Sequence, residues 1–230
     1  IALAEHIGSA VMVTSKARGV IPENHPLYAG VMSGVYKGDT LEGRLMVKSD
    51  IVLAVGLDRM ELLTPWMYEQ PLLALDAIPV KDEVVGDPMH TASGPLVKML
   101  DSLTSTLPGR TTWNRTEIEA YWEEAMAELG ASNTDLNATS VLLRAREIAA
   151  RDTILTTEAG VYGRVNLYAW KVYDPGTYFD SSGANTMGFS LPAALAASLL
   201  RPTQKTVALI GDGGFLMRAG ELETAARMGL

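Results

Sequence analysis

Short apolar runs of strand length alternate along this chain with segments whose apolar residues recur at helical spacing, and no other feature constrains the fold as strongly. Strand-length runs occupy 10–14, 51–55, 72–75, 153–156 and 206–210, while helical spacing marks 41–48, 91–103, 116–129, 138–150, 189–200 and 219–228. Strands that are apolar on both faces belong in sheets covered on both sides, and helical crossovers make such sheets parallel. The expected class is α/β, with mainly parallel sheets flanked by helices. In 138–150 the apolar face is expected to comprise Val141, Leu142, Ala145, Ile148 and Ala149. The stretch 104–113 (TSTLPGRTTW) has no periodicity and carries Pro108-Gly109, which predicts an exposed linker between two domains, 1–105 and 106–230.

Composition removes several function classes. With 230 residues, 47% hydrophobic and 20% charged, the chain can bury a core, and charges or Gly/Pro interrupt every apolar run before the roughly 18–20 residues of a membrane span. Lys and Arg number 19 against 27 Asp and Glu, a formal charge of −8. That sign opposes binding to phosphate backbones, so neither nucleic acid nor membrane is an expected partner. Cys is absent, which excludes disulfides, thiolate catalysis and thiolate metal sites and agrees with a cytoplasmic location. His6, His25 and His90 are far apart and are expected in surface, loop or capping roles. The sequence begins at Ile1 without an initiator Met or signal-peptide layout and stops just after Gly229 ends a helical pattern. It is expected to be a piece of a longer chain.

The strongest local chemical signal is Val207 to Phe215, a buried strand running straight into Gly211-Asp212-Gly213-Gly214 and then a helix. Ligands of open α/β sheets gather at the carboxyl ends of strands, where glycines let the backbone approach an anion closely. Asp212 at the strand tip could share a hard divalent cation with phosphate oxygens. Those four residues fit equally well a tight strand-to-helix turn with Asp as its cap.

Upstream context adds to the motif. Gly183 through Ala194 (GANTMGFSLPAA) precedes it, with 25 residues from Met187 to Asp212, and Phe215-Leu216-Met217 and Glu221-Leu222-Glu223-Thr224-Ala225 follow. These ordered blocks resemble the diphosphate-binding domain of the thiamine diphosphate (ThDP)-dependent 2-oxo acid decarboxylases and carboligases, the group of acetolactate synthase and benzoylformate decarboxylase. Lys16 to Leu27 (KARGVIPENHPL) and the strand at 50–56 resemble parts of the family's middle domain. The resemblance implies two Rossmann-like or ThDP-fold domains, a middle one at 1–105 and a diphosphate-binding one at 106–230.

By the same resemblance, Asp212 would be a carboxylate ligand of Mg²⁺, and Gly211, Gly213 and Gly214 would line the diphosphate. Met187 would be the catalytic wedge that bends the cofactor so that it acts as its own base. Backbone around Asn185 would meet the pyrimidine edge. Gly160 and Val161 would give backbone donors at the end of the 153–156 strand, because Val161-Tyr162 replaces the Gln-His usual in acetolactate synthases. Glu158 is expected as a structural acid capping a loop. Gly56 is followed by Leu57-Asp58-Arg59, with an acid where flavin-binding members carry Arg, which argues against bound FAD.

The resemblance implies a ThDP- and Mg²⁺-dependent, acetolactate synthase-like enzyme acting on a small 2-oxo acid, shared between subunits of a homodimer or homotetramer. The family's activating Glu and second metal ligand would lie outside 1–230, so these residues alone are expected to be inactive. Two alternatives stay open: a simple 2-oxo acid decarboxylase of the benzoylformate or oxalyl-CoA type, and a non-catalytic nucleotide-binding module with a dinucleotide at Gly56.

Overall fold

The computed structural model describes residues 1–34, 40–64, 66–79, 88–110, 113–131, 135–160, 162–181, 183–184 and 186–230. Packing divides the chain into two units, one made of 1–14 and 25–125, the other of 15–24 and 126–230. Every described strand pairs in parallel. The α/β class expected from the alternating pattern is what the chain forms.

The first unit runs α1 (Ala2–Ile7), β1 (Val11–Val13), β2 (Tyr28–Val31), α2 (Leu41–Val47), β3 (Val52–Val55), β4 (Leu72–Asp76), β5 (His90–Ser93), α3 (Leu96–Thr106) and α4 (Arg115–Glu128). β1 pairs with β2, and β3, β4 and β5 form a second sheet in that order. Met32, Met46 and Tyr68 form one buried cluster, with Met12, Val52, Leu62 and Trp66 packed on it. A buried carboxylate beside it is fully engaged. Glu42 accepts from the Ser33 amide at 2.7 Å, the Ser33 hydroxyl at 2.8 Å and the Tyr68 hydroxyl at 2.6 Å, which compensates its removal from water.

Three expectations for this half change. Residues 91–103 were expected to be helical throughout, yet His90–Ser93 is an edge strand and the helix starts only at Leu96. All four side chains of that strand are exposed, so it carries no apolar signal, and its pairing with Leu73–Asp76 decides it. β2 has no counterpart in the sequence reading; it is four residues long and wholly buried. The segment 104–113 is less free than a linker: α3 continues through Thr106, and the chain beyond is tied to α1 by Arg110 N–H to His6 O at 3.0 Å and Trp113 N–H to Gly8 O at 2.9 Å. The His6 ring also meets Leu107 O at 2.8 Å. Thr111 and Thr112 lie outside the described residues.

The packing units do not part at 105/106. α4 belongs with the first unit through Ala125 because Ile118 is buried there and Trp122 stacks on Tyr28 with ring centroids 6.0 Å apart. Lys48 reaches Glu117 at 3.0 Å, and Arg44 pairs with Glu124, so part of the acidic face of α4 meets basic side chains of α2.

The second unit runs α5 (Ala138–Ile148), β6 (Ile154–Thr157), α6 (Gly163–Ala169), β7 (Tyr178–Phe179), α7 (Ser190–Leu200), β8 (Thr206–Leu209), α8 (Asp212–Arg218) and α9 (Glu221–Met228), its sheet ordered β7-β6-β8. Leu155, Trp170, Val172 and Tyr178 form its core, with Ala145, Ala149 and Leu209 against it. Burying side chains of this size stabilises by about 1.5–3 kcal/mol each. The face expected for α5 is partly wrong: Val141 is 48% and Ile148 75% exposed, while Thr139, Leu142 and Arg146 are buried. Aromatic packing explains the arginine. The Arg146 guanidinium lies 5.0 Å from the Trp170 and Tyr173 ring centres, and Nη2 donates to the carbonyls of Ala150 and Arg151 beyond the helix end.

Residues 15–24 join this unit through a buried ion pair. Arg18 Nε and Nη2 donate to the two Glu23 carboxylate oxygens at 2.7 and 3.0 Å, and Nη2 also reaches Trp170 O. The same guanidinium lies 4.3 Å from the Tyr178 ring centre. Gly19 has φ +89° here, and a Cβ on it would land on the Asp174 carbonyl.

Burial pushes the Tyr178 hydroxyl up to about 12, with the Arg18 charge pulling it down and Asp180 raising it. An unfolded tyrosine ionises near 10, so the folded chain holds this proton more tightly. The resulting stability is fully present below about pH 10 and is lost as pH rises through about 12. A titration followed at 295 nm should show one phenol resisting ionisation until that range, and Tyr178→Phe should remove that step.

Candidate functional site

β6 and β8 pair from Ile154↔Thr206 to Thr157↔Leu209, so their carboxyl ends emerge side by side. One leads into Glu158-Ala159-Gly160, the other into Ile210-Gly211-Asp212. α7 is latched to the same end. Thr156 Oγ1 donates to Ser190 O at 2.9 Å, the Ser190 hydroxyl donates to Thr156 O at 2.9 Å, and the Ser190 amide donates to Glu158 Oε2 at 3.0 Å. The latch places Met187, just ahead of α7, against Gly213 in the turn that opens α8, and Gly188 against Met217 and Arg218 at the end of that helix.

Close approach defines that turn. A Cβ on Gly213 would stand 2.7 Å from Met187 Cε, and one on Gly214 would land on Glu158 Oε1. One on Gly211 would stand 3.6 Å from the Tyr162 ring. Space rather than φ calls for glycine at 214, where the held Glu158 carboxylate leaves no room, while at 213 the flexible end of Met187 can give way. The result is a glycine-rich turn at the carboxyl ends of two parallel strands, packed by Met187, Glu158 and Tyr162, at the position where open α/β sheets bind ligands.

Asp212 opens α8 as its first residue, with Gly211 as the cap. Its side chain is exposed and has no hydrogen-bond or ion-pair partner among the described residues. A carboxylate so placed is free to ligate a hard cation. Among the described residues there is no group of three or more His, Cys, Asp or Glu that would hold a metal unaided. A cation here would need oxygens from its ligand.

The structure therefore brings Gly160, Met187, Gly211, Asp212, Gly213 and Gly214 to one end of one sheet. Met187 is 44% exposed and lies over Gly213, so its thioether covers part of the turn. Val161 and Asn185, expected at the cofactor, lie outside the described residues. Glu158 is a cap, but of a helix: 5% exposed, it receives the first amide of α7 and presses an unpartnered Oε1 under Gly214. Sequence reasoning missed the Thr156–Ser190 latch and Tyr162; the signal for the latch was a polar Thr-Thr-Glu run closing an otherwise buried strand. In the first unit, Asp58 accepts from the Met60 amide at 2.9 Å.

Residues 158–230 match the C-terminal TPP-binding domain of thiamine pyrophosphate enzymes, and residues 1–81 match the central domain of the same enzymes. The chain belongs to the thiamine pyrophosphate enzyme family. The matched C-terminal segment starts at Glu158 and holds the whole glycine-rich turn. Among relatives, an acetolactate synthase of Mycobacterium avium is 29% identical over 99% of this chain and 38% of its own length. The catabolic acetolactate synthase of Raoultella terrigena is 28% identical over 93% of this chain and 40% of its own length. The protein named "Probable 2-ketoarginine decarboxylase AruI" of Pseudomonas aeruginosa is 27% identical over 98% of this chain and 40% of its own length. This thiamine pyrophosphate enzyme chain spans about 40% of the length of these curated relatives.

The contact between Gly214 and Glu158 gives a direct test of the turn in this thiamine pyrophosphate enzyme. Gly214→Ala must displace either the first turn of α8 or the carboxylate that caps α7. Overpacking of this kind costs about 1–3 kcal/mol. Thermal unfolding should show that loss. An unchanged melting temperature would mean that Glu158 moves aside freely.

Proposed function

We propose that this chain anchors the diphosphate of thiamine diphosphate, together with Mg²⁺, in an acetolactate synthase-like enzyme that acts on a small 2-oxo acid without bound FAD. The observation that carries it is the meeting of Met187, Gly160 and the Gly211–Gly214 turn at the carboxyl ends of β6 and β8. The turn suits such a group on its own chemistry: glycine amides at the start of α8 for the phosphate oxygens and an exposed carboxylate on Asp212 for the cation.

Bound thiamine diphosphate supplies an electron sink for cleaving the bond between the carboxylate and the carbonyl carbon of a 2-oxo acid. The chain's own residues bind and orient it. Asp212 would hold the cation, and the amides of Gly213 and Gly214 would be the donors for the diphosphate. Met187 presses an apolar side chain over the turn and sets the conformation of what lies there, which is the sense in which it is catalytic. Glu158 and Ser190 hold the two walls together. We further propose a homodimer or homotetramer, with neither nucleic acid nor membrane as partner; among the described residues no helix is long and apolar enough to cross a membrane.

Calorimetric titration of the full-length protein with ThDP and Mg²⁺ tests the anchoring. Assays with pyruvate, glyoxylate, benzoylformate and oxalyl-CoA then test the reaction. Carboligation from pyruvate or glyoxylate supports the proposal, aldehyde release from benzoylformate alone supports a simple decarboxylase, and a yellow flavin spectrum refutes the absence of FAD. A second reading places a dinucleotide at Gly56, just past the carboxyl end of β3. Binding of a dinucleotide in the first unit, with no ThDP at Asp212, would favour a nucleotide-binding module.

A further inference from the structure

Met187 reaches the Gly211–Gly214 turn from an exposed part of the chain. Gly183, Ala184, Thr186 and Met187 are all exposed, so burial does not hold these residues between β7 and α7. Segments with few buried apolar contacts open at little cost, and methionine adds an unbranched side chain with three rotatable bonds. The place of Met187 over Gly213 therefore depends on how its backbone is fixed.

Hydrogen bonds fix that backbone from both directions. After Met187, the Ser190 amide donates to Glu158 Oε2 at 3.0 Å, and Gly188, at φ +78°, lies where a Cβ would stand 3.1 Å from Arg218 Cγ. Before it, the anchor is Ser181. The Ser181 hydroxyl accepts from the Thr186 amide at 2.9 Å and donates to the Thr186 carbonyl oxygen at 3.3 Å, so one hydroxyl spends a donor and an acceptor on the residue next to Met187. That carbonyl belongs to the peptide unit that continues into Met187. The Ser181 carbonyl in turn accepts from the Ala184 amide at 3.1 Å, with Gly183 at φ +91°. The root beneath Ser181 is held as well: the Asp180 carboxylate accepts from the Ser15 hydroxyl, and the Tyr178 hydroxyl lies 3.3 Å from the same oxygen.

We propose that Ser181 is a positioning residue for Met187: by clasping the peptide units on both sides of Thr186, it holds Met187 over Gly213. This rests on the thiamine diphosphate reading above and adds to it the residue that sets the aim of the wedge. Ser181 acts through the backbone, and its loss leaves Asp212 and the Gly211–Gly214 turn as they are. Orientation should therefore suffer and anchoring should not.

Ser181→Ala in the full-length protein tests this, with Ser181→Thr as the variant that keeps the hydroxyl. In ligand-free protein labelled with ¹³C-methyl methionine, the Met187 methyl resonance, assigned by its loss in Met187→Leu, should shift in the Ala variant and return in the Thr variant. With saturating ThDP and Mg²⁺, turnover of the 2-oxo acid that the wild type uses should fall about three- to tenfold in the Ala variant, the span of one neutral hydrogen bond, and recover in the Thr variant. Calorimetric ThDP affinity and the ligand-free melting temperature should stay at wild-type values. An unmoved methyl resonance overturns the proposal, as does a shifted one with undiminished turnover. A loss of turnover that excess ThDP restores also overturns it, assigning Ser181 to anchoring. A lowered ligand-free melting temperature with no recovery in the Thr variant overturns it by assigning Ser181 to packing. A wild type that binds no ThDP overturns the function reading and this proposal together.

Discussion

Asp212→Ala in the full-length protein is expected to abolish Mg²⁺-dependent ThDP binding over the accessible concentration range, a loss of more than about a hundredfold. Losing even an outer partner of a metal ligand costs roughly 10- to 100-fold in affinity, and Asp212 would be a direct ligand. The four-residue turn contains no other anionic side chain to take over. The fold should tolerate the change, since the carboxylate is exposed and its interaction with the start of α8 is worth about 0.3–1 kcal/mol. Calorimetry with and without Mg²⁺, beside a melting curve of the ligand-free protein, separates the two effects. Retained Mg²⁺-dependent affinity would remove the cation from this turn.

Glu23→Ala should produce the largest loss of stability, about 3–5 kcal/mol, because it breaks a buried, two-pronged ion pair with the Arg18 guanidinium. Both side chains are essentially sealed, at 0% and 1% exposure. Arg18 also meets the Trp170 carbonyl and Asn166 Oδ1, the latter at 3.4 Å. Urea unfolding of wild type and variant measures the difference. A loss below about 1 kcal/mol would show that water reaches the pair.

The turn was legible because its requirements are written in residue types: glycines where neighbours leave little room, one acid at the tip, and a strand apolar on both faces leading in. Strands and helices were legible where apolar residues set the period. β5 was not, since His90-Thr91-Ala92-Ser93 is exposed on every side chain and its identity comes from Leu73–Asp76 beside it. The face of α5 misled for the opposite reason. Arg146 reads as a surface residue until Trp170 and Tyr173, far along the chain, provide aromatic planes to cover it. Tyr162 and Glu158 needed the Gly211–Gly214 turn brought beside them, a proximity that no local pattern encodes.

The placement of residues 15–24 in the second unit also bears on how the chain is born. Arg18 emerges from the ribosome 148 residues ahead of Asn166, and Glu23 N–H waits for Val172 O. At translation speeds of about 5–20 residues per second, that interval lasts roughly 7–30 s. Throughout it, the first unit can assemble around a loop whose charged pair has no interior to enter. The native packing of the second unit includes that loop, so its folding is tied to chain already made, and severing the chain at 105/106 would leave Trp170 and Val172 without the arginine and glutamate that meet them.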